Sequence, residues 1–229
     1  MYTNVNLEAA LGVLGFLGTG FCLFVAGLII LHALKTKRRE RAKRILAMSV
    51  AGAALYAVLV VAFSLSSSEQ VLARGEEKYF CEIDCHLAYS VLHVRQTKTL
   101  GAGAQQVTAN GMFHVVTLKT RFDEQTTSPR RANQPLTPNS RVARVFAEDG
   151  RRFEPSLEGQ RALEQSPDGA GKPLTTPLRP GEAYTTELVF DLPPDVKNPR
   201  LLINEGEIVT HFIIGHENSF LHKKTGFQI

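Results

Sequence analysis

The chain has 229 residues, with 26 Lys and Arg against 22 Asp and Glu, a formal charge of +4, three Cys and no Trp. Most of that charge is local: Lys35 to Arg44 (KTKRRERAKR) holds seven cations and one anion, so the rest of the chain is near neutral and a nucleic-acid footprint is excluded. A mean hydropathy of −0.06 averages two strongly apolar segments with a polar, loop-rich remainder.

The N-terminal tail, residues 1–8 (MYTNVNLE), carries no basic residue. Ala9 to Leu34 and Ile45 to Ser68 contain no Asp, Glu, Lys or Arg. Each exceeds the roughly 20 apolar residues, at about 1.5 Å rise apiece, that cross a hydrocarbon core as a helix. Two transmembrane helices are therefore expected at 9–34 and 45–68, joined by a basic turn at 35–44. Short loops rich in Lys and Arg stay cytoplasmic, so both termini and everything after residue 68 are expected on the extracytoplasmic, periplasmic side of an inner or plasma membrane. The first apolar segment is too long for the h-region of a cleaved signal peptide and lacks a basic n-region. Gly12, Gly15, Gly18 and Gly20 in the first helix, and Ser49, Ala53 and Ala57 in the second, allow close helix packing, on each other or on a partner subunit. Cys22 and His32 are not site candidates.

A polar stalk is expected at 69–78 (EQVLARGEEK), followed by an extracytoplasmic β domain at 79–229. Short runs rich in β-branched and aromatic residues predict strands at Leu87 to Gln96, Met112 to Phe122, Arg141 to Phe146, Tyr184 to Leu192, Leu201 to Asn204 and Ile208 to Ile214. Gly- and Pro-rich stretches separate them, and no long helical period is present. The pattern predicts an all-β antiparallel sandwich, with a fragment from Glu76 to Ile229 sufficient to fold alone.

The segments Phe113 to Phe122, Ala147 to Ser156 (AEDGRRFEPS) and Leu178 to Ile203 (LRPGEAYTTELVFDLPPDVKNPRLLI) resemble the immunoglobulin-like sandwich domains related to mycobacterial immunoprotective extracellular antigen. This resemblance implies an immunoglobulin-like fold and an extracytoplasmic location, and transfers no catalytic residue. The helical hairpin, the Cys81, Cys85 and His86 cluster and the tail His216 to Lys224 (HENSFLHKK) depart from that family's pattern.

Four readings compete for YFCEIDCHLAYSV, Tyr79 to Val91. Cys81 and Cys85 form a disulfide where the chain turns, since Cα atoms about 13 Å apart in an extended strand could not be bridged. Alternatively the two thiolates, with an imidazole from His86, His93 or the tail, hold a soft metal, most naturally copper. A Cys-three-residue-Cys pair is similar to the copper pairs of Sco-type chaperones and of cytochrome oxidase subunit II. The latter also requires a His and a Met where this chain has Tyr89 and Leu92. Covalent haem needs one residue fewer between the cysteines, and reduced free thiols suit the compartment poorly.

His216 and His222 form a second candidate metal pair, with exposed loop histidines as the alternative, whereas His114 reads as a structural histidine on one strand face with Val116. No spacing sets a nucleophile beside a base, so a non-enzymatic role is expected. The expected function is that of a binding or accessory subunit among other membrane-protein subunits. The alternative is a copper-binding, copper-delivery or electron-transfer module. Neutralising Lys37, Arg38, Arg39, Arg41, Lys43 and Arg44 together should scramble orientation. External labelling of a cysteine engineered into the β domain would fall from complete to partial, and undiminished labelling would show that the basic run does not orient the chain.

Overall fold

A computed structural model describes residues 7–80, 86–126, 133–166 and 169–229. The elements are α1 (Leu7–Lys35), α2 (Arg39–Ser66), β1 (Gln70–Leu72), β2 (Lys78–Phe80), β3 (Leu87–Leu100), β4 (Val107–Phe122), β5 (Arg141–Phe146), β6 (Arg152–Phe153), α3 (Leu157–Glu164), β7 (Ala183–Leu192), β8 (Arg200–Glu205) and β9 (Thr225–Gln228). They form two compact units. One joins the α1–α2 hairpin to Glu207–Lys223, and the other contains Glu69–Gly206 with Lys224–Ile229.

Both α1 and α2 are long and apolar enough to cross a membrane. Beyond the charged first turns of α2, both helices carry apolar residues on every side. The turn between them is much shorter than the expected 35–44. Lys37, at φ 58°, ends α1 in a left-handed cap: its N–H donates to Leu34 O at 3.0 Å and that of Arg38 to Ala33 O at 2.8 Å. Arg39 then starts α2, because Arg, Lys, Ala and Glu are all good helix formers. The basic run is thus mostly the first two turns of a helix, with Lys43 paired to Glu40 at 3.0 Å.

The second unit is a β domain of two sheets. One has the order β1-β9-β8-β5-β6 and the other β2-β3-β4-β7. All pairings are antiparallel except that of β1 with β9. Inward side chains of both sheets share one core, including Val91, Leu118, Phe122, Val145, Phe190, Leu201, Ile203 and Phe227. The other face of the four-stranded sheet is also covered. There Phe113, Val115 and Val189 pack with Ala162 and Leu163 of α3 in a second cluster. Residues 113 and 115 serve one face and 116, 118 and 122 the other, so apolar residues of β4 fall on both faces of the sheet.

Four expectations change. The eight-residue α3 was not expected; Ser156 caps it by accepting the Gly159 N–H at 3.2 Å, and its buried Gly159, Ala162 and Leu163 share one face. Strand β3 runs on to Leu100 and β4 starts as early as Val107, inside a Gly-rich stretch read as a break between strands, and their pairing shifts register at 91–93 and 97–99. The 69–78 stalk is part of the fold, since β1 lies beside β9 and Lys78 opens β2. Ile208 to Ile214 is no strand: Ile208–Phe212 is a 3₁₀ turn belonging to the helical unit, where it has no β neighbour.

The expected Glu76 to Ile229 fragment therefore omits β1. A fragment from Glu69 to Ile229, with 207–223 replaced by a short Gly-Ser linker between the antiparallel neighbours β8 and β9, should unfold cooperatively in denaturant. Starting the same fragment at Glu76 should lower the midpoint, because β9 loses its outer partner. Identical midpoints would show that β1 adds nothing.

Candidate functional site

Among the described residues, a dense group of polar side chains surrounds the paired ends of β2 and β3, where Phe80 lies opposite Leu87. The connection between those strands carries Cys81 and Cys85, and the readings placed on these two residues, disulfide or metal pair, lie outside the described residues. What the structure describes is how the base of that connection is held.

On the inner face, strand pairing sets Lys78 opposite Tyr89, Tyr89 opposite Thr120, and Thr120 opposite Tyr184. A polar row thus crosses the whole four-stranded sheet inside the core. Lys78 is 5% exposed, and its ammonium donates to the carbonyls of Ile203 and Thr225, both at 3.0 Å, with the Phe80 ring centroid 5.0 Å away. Across the core, Arg141 of β5 and Glu205 of β8 are register partners and form an ion pair at 2.7 Å, with side chains 3% and 4% exposed. The Arg141 guanidinium lies 4.1 Å from the Phe80 centroid and 5.8 Å from that of Tyr89. Burial raises the Tyr89 phenol pKa, against the opposing effect of the Arg141 charge. Burial likewise pushes Tyr184 up to about 12 while its hydroxyl donates to Leu174 O at 2.7 Å. Both phenols stay protonated at any physiological pH.

A second network lies on the outer face. Arg121 holds Glu77 in a two-pronged contact, Nε to Oε1 at 2.7 Å and Nη2 to Oε2 at 2.6 Å, and also donates to Tyr79 Oη at 2.8 Å. The Tyr79 hydroxyl lies 2.8 Å from Glu77 Oε2 and 3.0 Å from Asp123 Oδ2. Hydrogen bonding from Arg121 holds the Glu77 carboxyl below its usual pKa, while burial and these acceptors raise that of Tyr79. His86 closes the base from the other side. It is 4% exposed, packs on the Phe122 ring at 5.4 Å between centroids, and its carbonyl accepts the Asp123 N–H at 2.8 Å.

The candidate ligands are thus distributed as follows. His86 is a buried core histidine of the β unit, whereas His216 and His222 belong to the helical unit. His216 Nδ1 accepts the Asn218 N–H at 3.0 Å, and His222 Nδ1 lies 2.6 Å from Lys223 O. Among the described residues no group of three or more His, Cys, Asp or Glu could hold a metal ion, so copper or any other metal gains no support from them. His114 is the structural histidine expected, with Nε2 2.9 Å from Gln96 Nε2 and Nδ1 3.2 Å from Met112 O. Sequence reasoning missed Lys78, which reads as the last residue of a polar stalk, Arg141, marked only as the first residue of a predicted strand, and Glu205, one residue beyond the predicted end at Asn204.

No protein-family model matches the chain, and no curated protein matches it. Two solved structures are similar. One is MPT63, a secreted protein from Mycobacterium tuberculosis, at 14% identity and TM-score 0.44, covering 72% of this chain and 100% of that one. The other is a conserved hypothetical protein from Bacillus anthracis, at 14% identity and TM-score 0.39, covering 56% and 91%. Both scores lie below 0.5, too low to assign a topology or an activity.

Two outcomes follow from this geometry. Glu205→Leu leaves the Arg141 guanidinium buried without its carboxylate and should cost about 3–5 kcal/mol, whereas Arg141→Met with Glu205→Leu should recover much of that loss. Denaturant midpoints of the β-domain fragment measure both, and an unchanged single variant would show the pair to be idle. The Glu77 ion pair has a pH signature. With the folded pKa depressed, its stabilisation is complete above the unfolded carboxylate value of about 4.3 and is lost as pH falls through the lower folded value. Glu77→Gln should therefore reduce stability at neutral pH and converge with the parent in acid.

Proposed function

We propose that the chain is a membrane-anchored, non-catalytic accessory subunit whose two helices cross the bilayer. In this reading both ends of the chain and an immunoglobulin-like β domain lie on the extracytoplasmic side. The observation that carries it is the surface of the hairpin. Large apolar side chains along both helices, among them Leu14, Phe24, Leu28, Val58 and Phe63, are exposed. A groove of about 610 Å³ between α1 and α2 is lined by Gly18, Cys22, Ala26, Ser49 and Gly52 together with bulkier apolar residues. Small residues let another helix backbone approach closely where hydrophobicity gives no driving force between helices, so the groove suits a transmembrane helix of a partner subunit. The cationic start of α2 supports the orientation, with Arg39, Arg41, Lys43 and Arg44 on the cytoplasmic side.

The test is native electrophoresis of gently solubilised membranes, with a photo-crosslinker at position 48. The parent should migrate in an assembly larger than its 25.2 kDa and crosslink to a discrete membrane protein. Filling the groove with Gly52→Leu should abolish the crosslink while leaving the β domain folded. A parent that migrates as a monomer, with no crosslinked product, would remove the accessory-subunit reading.

A further inference from the structure

The segment Glu207–Lys223 groups with the helices, and its polarity is inverted relative to a loop built for water. Thr210, Asn218 and Ser219 are buried, while Ile208, Val209, Phe212, Phe220 and Leu221 are exposed. Ile208 is 74% exposed and Leu221 67%. Polar groups turn inward and bond one another. Thr210 Oγ1 donates to Glu207 O at 2.6 Å and accepts from Asn218 Nδ2 at 3.1 Å, and the Ser219 hydroxyl donates to Ile213 O. Outward, the Phe220 ring lies 5.4 Å from Phe212 and 5.5 Å from His211, forming a surface aromatic cluster. Contiguous exposed apolar residues of this kind mark a surface meant for an apolar partner.

The depth of the segment identifies that partner. Lys223 N–H donates to Ser67 Oγ, at the end of α2, at 2.9 Å. Farther in, the Tyr56 hydroxyl donates to Phe212 O at 2.7 Å. Tyr56 stands ten residues before Ser66, about 15 Å along the helix axis at 1.5 Å per residue. On α1 the segment reaches Gly12, where an added Cβ would collide with Ile214 O. The chain therefore enters along the hairpin, reaches about half the thickness of a hydrocarbon core of about 30 Å, and returns to the level of the α2 end. At that depth a backbone carbonyl needs a protein donor, and Tyr56 supplies one.

Resting on the membrane-spanning reading of α1 and α2, we propose that residues 208–221 form a re-entrant segment whose exposed apolar side chains contact phospholipid acyl chains of the outer leaflet. Lys223 and Lys224 follow it at headgroup level, where cations favour the phosphates. The segment is a lipid contact of the helical unit, independent of the polar row in the β domain.

The absence of Trp from the chain makes the test clean. Ile208→Trp and Phe220→Trp place single reporters on the segment, with Phe24→Trp in α1 and Phe153→Trp in β6 as controls. Each full-length variant is reconstituted into phosphatidylcholine and phosphatidylglycerol vesicles, with and without brominated acyl chains. Both segment reporters should emit at shorter wavelength than the β6 control and lose intensity to the bromines, as the Phe24 reporter does. A segment that stays unquenched while Phe24 is quenched would overturn the proposal and leave the spanning helices standing. A blue shift without quenching would assign the surface to a second copy of the chain, which also overturns it. Loss of quenching at Phe24 as well would instead remove the membrane-spanning reading on which the proposal rests.

Discussion

A guanidinium that is 3% exposed remains charged inside a β domain only if its surroundings replace water, and Arg141 has a carboxylate in register with it and an aromatic ring against its face. This constraint orders the end of the domain where β8 finishes and β9 begins. Glu205 must face β5 at the correct register, because a one-residue slip would turn it to the opposite face and bury an uncompensated cation. Phe80 must reach the guanidinium, which fixes β2 against the core. Lys78, two residues earlier on the same face, then meets the carbonyls of Ile203 and Thr225. One charge pair thus ties five strands, β2, β3, β5, β8 and β9, to a single arrangement. Apolar packing supplies most of the stability, whereas the pair penalises alternative registers.

The hairpin was legible because composition alone specifies it: long uncharged segments flanking a basic run admit few alternatives. Strands with one water-facing side were legible by alternation, and β5 was placed to the residue, Arg141–Phe146. Asp-Gly pairs favour tight turns, and Asp149-Gly150 forms one, with Gly150 at φ 85° and the Arg151 N–H donating to Asp149 Oδ1 at 3.0 Å. The errors have a common cause, which is reading a segment's environment from its polarity. Lys78 looked like stalk because an ammonium is rarely buried, and nothing local announces the carbonyls waiting for it. Ile208 to Ile214 looked like a strand because apolar runs imply a sheet partner, yet its neighbours are helices. Helix α3 spans barely two turns, too few for a 3.6-residue period to emerge.

The candidate site was legible in part. Cys81, Cys85 and His86 were singled out by chemistry, and His86 proves to be a buried residue packed at a tilt against the Phe122 ring. The residues clamping the base of that connection, Glu77, Tyr79, Arg121 and Asp123, come from strands joined only by pairing. Their association depends on the β2 to β4 register, which a single sequence does not reveal. The two histidines grouped by spacing, His216 and His222, sit in the segment that leaves the β domain between β8 and β9 and joins the helical unit.

That excursion has a counterpart in β1, which directly follows α2 and yet pairs in parallel with β9, a strand translated after all the others described here. The four-stranded sheet can assemble from neighbours as they emerge, but the other sheet keeps an open position until the chain has passed through 207–223. Parallel, sequence-distant pairing is slow to form because its loop-closure entropy comes before its contacts. During synthesis, β1 is therefore a half-site made early, directly after α2 in the sequence, and β9 acts as a latch that closes the sheet only once residues 207–223 have been made.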